Sequence, residues 1–220
     1  MNLLQIVALA VGVTALAAAI GLSILLLGLQ RVFASAPTLW HNNHQEIIDT
    51  SLTVVIPAFN EADNIEDCLT HVLASATPCS QWQVLVVDDQ SNDNTVNIAE
   101  QTIAALTGAD QPSAAVLQAG PRPEGERWVG KNWGCSQAME QVQSEWVLFI
   151  DADVTLAPDA IQRALHQSIN EKADLFSLAP RLTCGCLAEW MVQPIMASLL
   201  GLGFPILEAN APASTVAFAA

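Results

Sequence analysis

The amino-terminal part of the chain is apolar and free of charge. No charged side chain precedes Arg31, and the apolar run at residues 3–29 is longer than the roughly 20 residues that a membrane core requires. The pattern predicts a single N-terminal transmembrane helix, with residues 1–33 as the anchor. A cleaved signal peptide is the alternative, but the N-terminus lacks the Lys and Arg of a signal peptide, and its apolar run usually spans only ~7–15 residues. Arg31 favours a cytoplasmic position for the following domain.

After a polar linker at residues 34–51, apolar runs of strand length alternate with amphipathic segments. Strands are predicted at residues 52–59, 82–87, 113–118 and 147–154. Because strand and helix patterns alternate along the chain, they predict an α/β fold with a mainly parallel sheet covered by helices.

Helical periodicity follows the first two strands. Asn60 is expected to cap the first helix, and Thr95 opens the second, which ends at Leu106. The residues predicted to face the core are Ile65, Cys68, Leu69, Val72 and Leu73 in the first helix, and Val96, Ala99, Ile103 and Leu106 in the second.

The second half of the chain continues the pattern less regularly. A helix is predicted at residues 131–143, another begins at Pro158, and residues 173–179 resemble a strand. The apolar segment at residues 187–206 is interrupted by Pro194, so an interfacial helix is preferred there over a core helix or a second membrane segment.

Charge and cysteine content exclude several classes of protein. The net charge of −15 argues against nucleic acid binding, which needs Lys and Arg, and against electrostatic docking on anionic lipid. Membrane attachment is therefore expected to come from insertion. The five cysteines are odd in number and lack the paired spacing of a zinc site, so free thiols in a reducing compartment are expected.

The few basic residues are clustered. No Lys or Arg occurs at residues 32–121, and then Arg122, Arg127 and Lys131 follow within a loop rich in Pro and Gly. Clustered cations in an acidic chain indicate an anionic ligand, and Lys131 lies near a predicted helix start, where the dipole also favours anions. The alternative is a solvated loop whose cations pair with its own glutamates.

Carboxylates follow two of the predicted strands. Asp88 and Asp89 follow the second strand, and Asp151 and Asp153 end the fourth. Each pair alone is typical of a turn or a helix cap. Ligands of open α/β sheets bind beyond the carboxyl ends of the strands, however, and a Mg²⁺ or Mn²⁺ ion there could bridge these carboxylates to a diphosphate. A nucleotide-diphosphate donor is the natural ligand.

Three segments in this order resemble the signatures of family 2 glycosyltransferases. They are residues 54–61 (Val-Val-Ile-Pro-Ala-Phe-Asn-Glu), residues 86–95, and Asp151-Ala152-Asp153. Residues 128–133 (Trp-Val-Gly-Lys-Asn-Trp) and the anchor resemble the membrane-bound subgroup that includes ceramide and hopanoid-associated glycosyltransferases. The resemblance covers about residues 52–179 and implies a Rossmann-like sheet of the glycosyltransferase A type.

The resemblance also implies a role for residues near the nucleoside. Pro57, Phe59 and Glu61 would line the nucleoside pocket. Asp89 would contact the base or the ribose, with Asp88 behind it.

Three further residues would bind the rest of the donor by the same resemblance. Lys131 would contact the nucleotide-sugar or its phosphates, and Asp151 would lie near the sugar or ribose. Asp153 would be the principal metal ligand, with Asp151 as the second.

The resemblance implies an inverting displacement in which a carboxylate base takes the proton of the acceptor hydroxyl. Family members supply that base well downstream of Asp153, and related membrane synthases add a Gln/Arg-x-x-Arg-Trp motif. No acid after Asp153 lies in a matching context, and that motif is missing. We therefore expect residues 52–220 to be a nucleotide-sugar-binding domain that is incomplete at its C-terminus, in an N-terminal portion of a longer enzyme. The base is then expected beyond residue 220, and activity of this chain alone stays open.

The sequence predicts a membrane-anchored, metal-dependent glycosyltransferase that acts on a lipid acceptor at the membrane. A polysaccharide or polyprenyl-phosphate acceptor is an alternative. A non-catalytic, membrane-anchored nucleotide-binding or assembly protein is a second, because fold alone does not establish chemistry. A nucleotidyltransferase is disfavoured, because residues 57–60 are not the Gly-rich phosphate loop that it would carry after the first strand.

Overall fold

The computed structural model describes residues 2–35, 38–39, 47–106, 108, 111–128, 130–180, 183–203, 211 and 214–215. The chain divides into two compact units, one formed by Met1–Thr38 with Ser177–Ala220 and the other by Leu39–Phe176. In chain order the elements are α1 (Leu3–Ser35), β1 (Ile48–Ala58), α2 (Ile65–Leu73), β2 (Cys79–Asp88), α3 (Thr95–Leu106), β3 (Ser113–Gln118), α4 (Asn132–Met139), β4 (Trp146–Phe149), α5 (Ala160–Glu171) and α6 (Leu187–Gly203).

The first unit contains α1 and α6. Within α1, the segment Leu3–Gly28 has a mean hydropathy of 2.4, and none of it is buried. By length and composition this helix is able to cross a membrane. The predicted interruption of α6 at Pro194 is wrong, since the helix continues through it. A proline removes one helical hydrogen bond, and a long helix often continues past it with a kink. The interfacial position of α6 stays a prediction, and residues 204–206 lie outside the described residues.

The second unit is built on a parallel sheet with the strand order β3-β2-β1-β4. β1 pairs with β2 up to Ala58 opposite Asp88, and with β4 up to Val55 opposite Phe149. Valine and isoleucine dominate the central strands, as expected when both faces of a parallel sheet are covered. The predicted α/β fold with a parallel sheet is confirmed.

Three of the four strands have bounds that differ from those predicted, and β2 begins at Cys79 instead of residue 82. β1 begins at Ile48, inside the segment predicted to be a linker, and there it pairs with Cys79 of β2. β4 ends at Phe149, so Asp151 and Asp153 lie in the loop that follows and not in the strand itself. Among the described strands β4 pairs only with β1, and just after β4 ends the Ile150 amide donates to the Val55 carbonyl at 3.0 Å.

Helix α2 packs on the sheet through the five residues predicted for its buried face, all of which are buried. The predicted cap, Asn60, is wrong. α2 begins at Ile65 after Asn64, and Asn60 lies in the preceding loop with a φ of 56°.

Helix α3 has the predicted bounds but a different buried face. Leu106 was predicted to be inside and is 38% exposed, whereas Thr95 and Thr102 are buried beside Ala99 and Ile103. The Thr102 hydroxyl donates to the Ile98 carbonyl at 2.8 Å, which satisfies its polar atom inside the protein. The hydrophobic pattern alone could not show that threonines replace aliphatic residues on this face.

Of the remaining predicted elements, α5 follows Pro158 as expected. α4 ends at Met139, earlier than the predicted residue 143. The strand predicted at residues 173–179 is wrong, because it pairs with none of the described strands and Leu175 is 63% exposed. An apolar run forms a strand only where a neighbouring strand accepts its backbone hydrogen bonds.

The core lies on both faces of the sheet. Val54 and Ile56 of β1 face one cluster, which also contains the buried residues of α2. Val55 faces the other, with Val87 of β2 and Trp133 of α4. Alternate residues of one strand thus pack against different helices, as the two-residue period of a strand requires.

Substitution of Leu69 and Leu106 by Ala tests the assignment of the buried faces. Leu69→Ala removes a side chain with no exposure and should lower the free energy of unfolding by about 2–5 kcal/mol. Leu106→Ala should cost less than about 1 kcal/mol, because its side chain already contacts solvent. Urea unfolding of the whole chain in detergent micelles, followed by tryptophan fluorescence, measures both, and equal losses would contradict the described face of α3.

Candidate functional site

A cleft of about 560 Å³ lies at the carboxyl ends of β1, β2 and β4. We call it the strand-end cleft. Its lining residues are Pro57, Ala58, Phe59, Glu61, Asp89, Arg122, Gly130, Lys131, Asp151, Ala152 and Asp153. The structure therefore brings together every site residue predicted from the sequence except Asp88, which is buried and does not line the cleft.

The loops that follow β1 and β2 are hydrogen-bonded to each other. The Asn60 amide donates to Ser91 Oγ at 2.8 Å, and the Asn92 amide donates to Asn60 Oδ1 at 2.8 Å. Asn60 and Gln90 both have positive φ values, of 56° and 65°, a conformation that asparagine tolerates better than most residues. The short side chains of Asn60 and Ser91 link the two loops where each of them turns sharply.

A second pair of hydrogen bonds completes this contact, and Thr95 at the start of α3 is its centre. Between the loops, Thr95 Oγ1 accepts from the Glu61 amide at 2.8 Å, and Asp93 Oδ2 accepts from the Ala62 amide at 3.2 Å. Within the second loop, the Thr95 hydroxyl donates to Asp93 Oδ1 at 2.5 Å. The Thr95 hydroxyl lowers the pKa of Asp93, because it stabilises the carboxylate. We refer to the four hydrogen bonds that join the loop after β1 to the loop after β2 as the loop clasp. It fixes the position of Glu61 in the cleft.

The two aspartates at the end of β2 are both buried, at 3% exposure for Asp88 and 6% for Asp89. Asp88 Oδ2 accepts from the Ser91 amide at 3.1 Å and closes the turn. Asp89 Oδ2 lies 2.5 Å from a guanidinium nitrogen of Arg122. The Oδ1 atoms of both are buried without a hydrogen-bond partner among the described residues. An unpaired buried acceptor is costly, so Asp89, which lines the cleft, is suited to accept a hydrogen bond from a ligand.

The sequence placed Arg122 in the basic cluster but did not assign it to the site. In the structure it pairs with Asp89, and it also donates to the Gly130 carbonyl at 3.4 Å. The sequence signal that could have assigned Arg122 to the site is its position as the first cation after a long segment without Lys or Arg. Arg127, by contrast, is exposed and does not line the strand-end cleft.

Tryptophans hold the basic loop against the sheet. Trp133 Nε1 donates to the Gly120 carbonyl at 2.6 Å, and the Trp133 ring meets that of Trp128 edge-on at 5.1 Å. Glu126 accepts from the Trp128 indole at 2.9 Å, so this glutamate pairs with an indole and not with a loop cation. The solvated-loop alternative is therefore wrong for Arg122 and Lys131, both of which pair with strand-end aspartates.

Lys131 forms an ion pair with Asp151 in the cleft. Both side chains are about half exposed, at 57% and 54%. Asp153 follows two residues later and is also exposed. The three charged groups therefore meet at the open side of the cleft.

The donor set suits a divalent cation only in part. Among the described residues, no group of three or more His, Cys, Asp and Glu side chains is arranged to hold a metal. Asp151 and Asp153 offer hard carboxylate oxygens. Mg²⁺ is commonly bound by one or two carboxylates together with substrate phosphates and water, so the residues present fit a cation that is shared with a diphosphate.

Beneath these aspartates lies a buried thiol. Cys68 Sγ donates to the Asp151 carbonyl at 3.7 Å. Burial raises the pKa of Cys68 to about 12, and the nearby charge of Asp153 adds to the increase. All five cysteines are free thiols, as predicted.

The chain matches glycosyl transferase family 2 over residues 53–212, more than half of its length. The fold and the strand-end cleft are thus those of a glycosyl transferase domain. The chain belongs to glycosyl transferase family 2, as its motifs predicted. The predicted membrane-bound subgroup stays a prediction.

Two curated relatives are similar over part of their length. Glycosyltransferase AglE of Haloferax volcanii is 48% identical over 85 residues, covering 30% of this chain and 28% of the relative. The 4,4'-diaponeurosporenoate glycosyltransferase of Staphylococcus aureus is 30% identical over 132 residues, covering 59% of this chain and 32% of the relative. The chain therefore spans about a third or less of these relatives.

The fold has a solved counterpart. The mannosyltransferase PcManGT of Pyrobaculum calidifontis, in complex with GDP-Man and Mn²⁺, has a TM-score of 0.54 at 24% identity. The match covers 78% of this chain and 47% of that protein. The predicted glycosyltransferase A fold is confirmed.

Replacement of Thr95 by Val tests the loop clasp. The change keeps the shape but leaves the Glu61 amide and the Asp93 carboxylate without the hydroxyl, so the free energy of unfolding should fall by about 1–3 kcal/mol. Thr70→Val is the matched control, because the Thr70 hydroxyl is exposed and bonds only within α2, to the Glu66 carbonyl. Urea unfolding measures both, and equal losses would mean that the clasp contributes little.

The buried thiol predicts a loss of stability at alkaline pH. The folded chain keeps the Cys68 proton up to a pKa of about 12, whereas the unfolded thiol loses it near 9.0. The unfolded state therefore binds fewer protons between these values, and the free energy of unfolding should fall as pH rises, by at most about 1.4 kcal/mol per pH unit. Cys68→Ala should reduce this slope in urea unfolding at pH 8.5–11. Cys186→Ala, at an exposed site, should not, and equal slopes would contradict the assignment.

Proposed function

We propose that the chain forms the donor-binding part of a membrane-anchored, inverting glycosyltransferase that transfers a sugar from a nucleotide-diphosphate sugar to a lipid-type acceptor. The observation that carries the proposal is the strand-end cleft, where an unpaired buried acceptor, a cation and two exposed carboxylates meet. These are the groups that a nucleoside, a diphosphate and a divalent cation respectively require. Membership of glycosyl transferase family 2 supports the same reaction class.

The nucleoside would occupy the inner end of the cleft. Phe59 exposes 54% of its surface there, and its ring offers an apolar face for a base. Pro57 and Glu61 line the same wall, and Asp89 keeps one buried oxygen free to accept a hydrogen bond from the base or the ribose. The volume of about 560 Å³ lies within the range of roughly 300–1,000 Å³ that small-molecule sites occupy.

The diphosphate would lie between Lys131 and the metal. Asp153 and Asp151 would hold a Mg²⁺ or Mn²⁺ ion, and the solved complex of PcManGT with GDP-Man and Mn²⁺ supports this combination. When bound, the ion would supply Lewis-acid stabilisation to the departing nucleoside diphosphate. Lys131 would neutralise part of the same negative charge, and Asp88 would keep Asp89 in place through the turn at Ser91.

The acceptor is proposed to reach the enzyme from the membrane. The S. aureus relative is named for 4,4'-diaponeurosporenoate, which supports a lipid-type acceptor. Helix α1 would anchor the protein, and the segment after it would lead to a cytoplasmic domain that begins with β1 at Ile48. The inverting base beyond residue 220 stays a prediction.

Calorimetric titration of the whole chain in dodecyl maltoside micelles tests the donor site. We expect uridine diphosphate (UDP) or guanosine diphosphate (GDP) to bind more tightly with Mn²⁺ than without it. Asp153→Ala should weaken the Mn²⁺-dependent binding by at least about tenfold, equal to about 1.4 kcal/mol. Asp174→Ala removes the same charge from an exposed loop and should change it by less than about twofold. Metal-independent binding of equal strength, or no binding to the folded chain, would contradict the proposal.

The non-catalytic alternative makes a different prediction. A binding or assembly protein would retain nucleotide but would leave radiolabelled UDP-glucose and GDP-mannose intact in the presence of a membrane lipid extract. Label in the lipid fraction would contradict this alternative.

A further inference from the structure

The strand-end cleft contains two ion pairs that differ in their exposure to solvent. Arg122 pairs with Asp89, whose side chain is only 7% exposed. Lys131 pairs with Asp151, and both of these side chains are more than half exposed. Arg122 therefore compensates a buried negative charge. Lys131 pairs with a carboxylate that water already solvates.

This difference in exposure decides which pair can be broken. Removing the partner of a buried charge is strongly destabilising, so Arg122 is expected to stay on Asp89 whatever binds. An exposed pair contributes little, because water solvates both charges almost as well. Lys131 can therefore leave Asp151 at small cost.

Lys131 lies on the carboxylate that the proposed metal also needs. Its ammonium contacts Oδ1 of Asp151, and an ammonium and a divalent cation on one carboxylate repel each other. Asp153 has no ion-pair partner among the described residues. The lysine thus contacts one of the two carboxylates that the proposed metal would use.

The local structure permits the lysine head group to move while its backbone stays fixed. The Lys131 carbonyl accepts from the Cys135 amide at 3.0 Å, which ties the backbone to the first turn of α4. The side chain has four flexible carbons and a head group with three rotatable donors, so the ammonium can change partners without a change of fold.

We propose that Lys131 is a positioning residue that exchanges anionic partners. It neutralises Asp151 in the empty cleft and transfers to the diphosphate when the divalent cation and the nucleotide bind together. The inference rests on the proposed function and adds a consequence to it. The metal alone competes with Lys131 and binds weakly, whereas each of metal and nucleotide increases the affinity for the other through this side chain.

Lys131→Met tests the exchange, because it removes the charge and keeps most of the length of the side chain. Binding of Mn²⁺ to the whole chain in dodecyl maltoside micelles is measured from the electron paramagnetic resonance signal of the free ion, without nucleotide. We expect the affinity of Lys131→Met for Mn²⁺ alone to rise by about three- to tenfold, because the competing cation is gone. In the presence of Mn²⁺, its affinity for whichever of UDP and GDP binds the unsubstituted chain should fall by about tenfold.

Two further variants separate the exchange from a general effect of charge. Arg127→Met removes a positive charge from the same loop, four positions away and outside the cleft, and should change both affinities by less than about twofold. Lys131→Arg restores the charge and should return the affinity for Mn²⁺ alone toward that of the unsubstituted chain.

The outcomes distinguish this inference from the proposed function. If the unsubstituted chain binds Mn²⁺ and nucleotide through Asp153, but Lys131→Met has unchanged or weaker affinity for Mn²⁺ alone, the exchange is overturned and the donor site stands. An equal rise in Arg127→Met would also overturn it, because any loop cation would then have the same effect. If the unsubstituted chain binds no Mn²⁺ even with UDP or GDP, both fail.

Discussion

The hydrogen bonding of β1 along both of its edges is the constraint on which the rest of the second unit depends. Because β1 pairs in parallel with β2 and with β4, the chain must leave the sheet at the same edge after all three strands. The register places Ala58 opposite Asp88 and Val55 opposite Phe149. Carboxylates that are far apart in sequence, at Asp89 and Asp151, therefore line one cleft.

The loop clasp turns this topological proximity into a defined geometry. Parallel pairing brings two loops to one edge of the sheet but does not determine their conformations. The loops are joined by the short side chains of Asn60, Ser91, Asp93 and Thr95. Each of these side chains satisfies a backbone amide that the sheet cannot reach. The same interactions hold Glu61 in the cleft, so the scaffold and the binding surface are formed by the same residues.

The sequence was most informative where a pattern has one physical explanation. The alternation of strand and helix patterns predicted the parallel sheet, and the family resemblance of the three motifs predicted most of the residues that line the cleft. It failed where the outcome depends on a partner distant in sequence. Leu106 fits a helical stripe yet stays 38% exposed, residues 173–179 have no described neighbouring strand, and the pairing of Arg122 with Asp89 depends on how the basic loop folds back. Asn60 resembled a helix cap because the same side chain also serves a turn.

The loop clasp also has a consequence for the order in which the protein assembles. Every residue that forms it, and both strands that it joins, lie in the continuous stretch from Ile48 to Thr95. The contacts of this end of the cleft join residues 31 to 34 positions apart, and a ribosome exposes the whole stretch before it has synthesised Asp151. During synthesis, the part of the cleft suited to a base would form first. The charged part suited to a diphosphate would form only after β4 pairs with the free edge of β1.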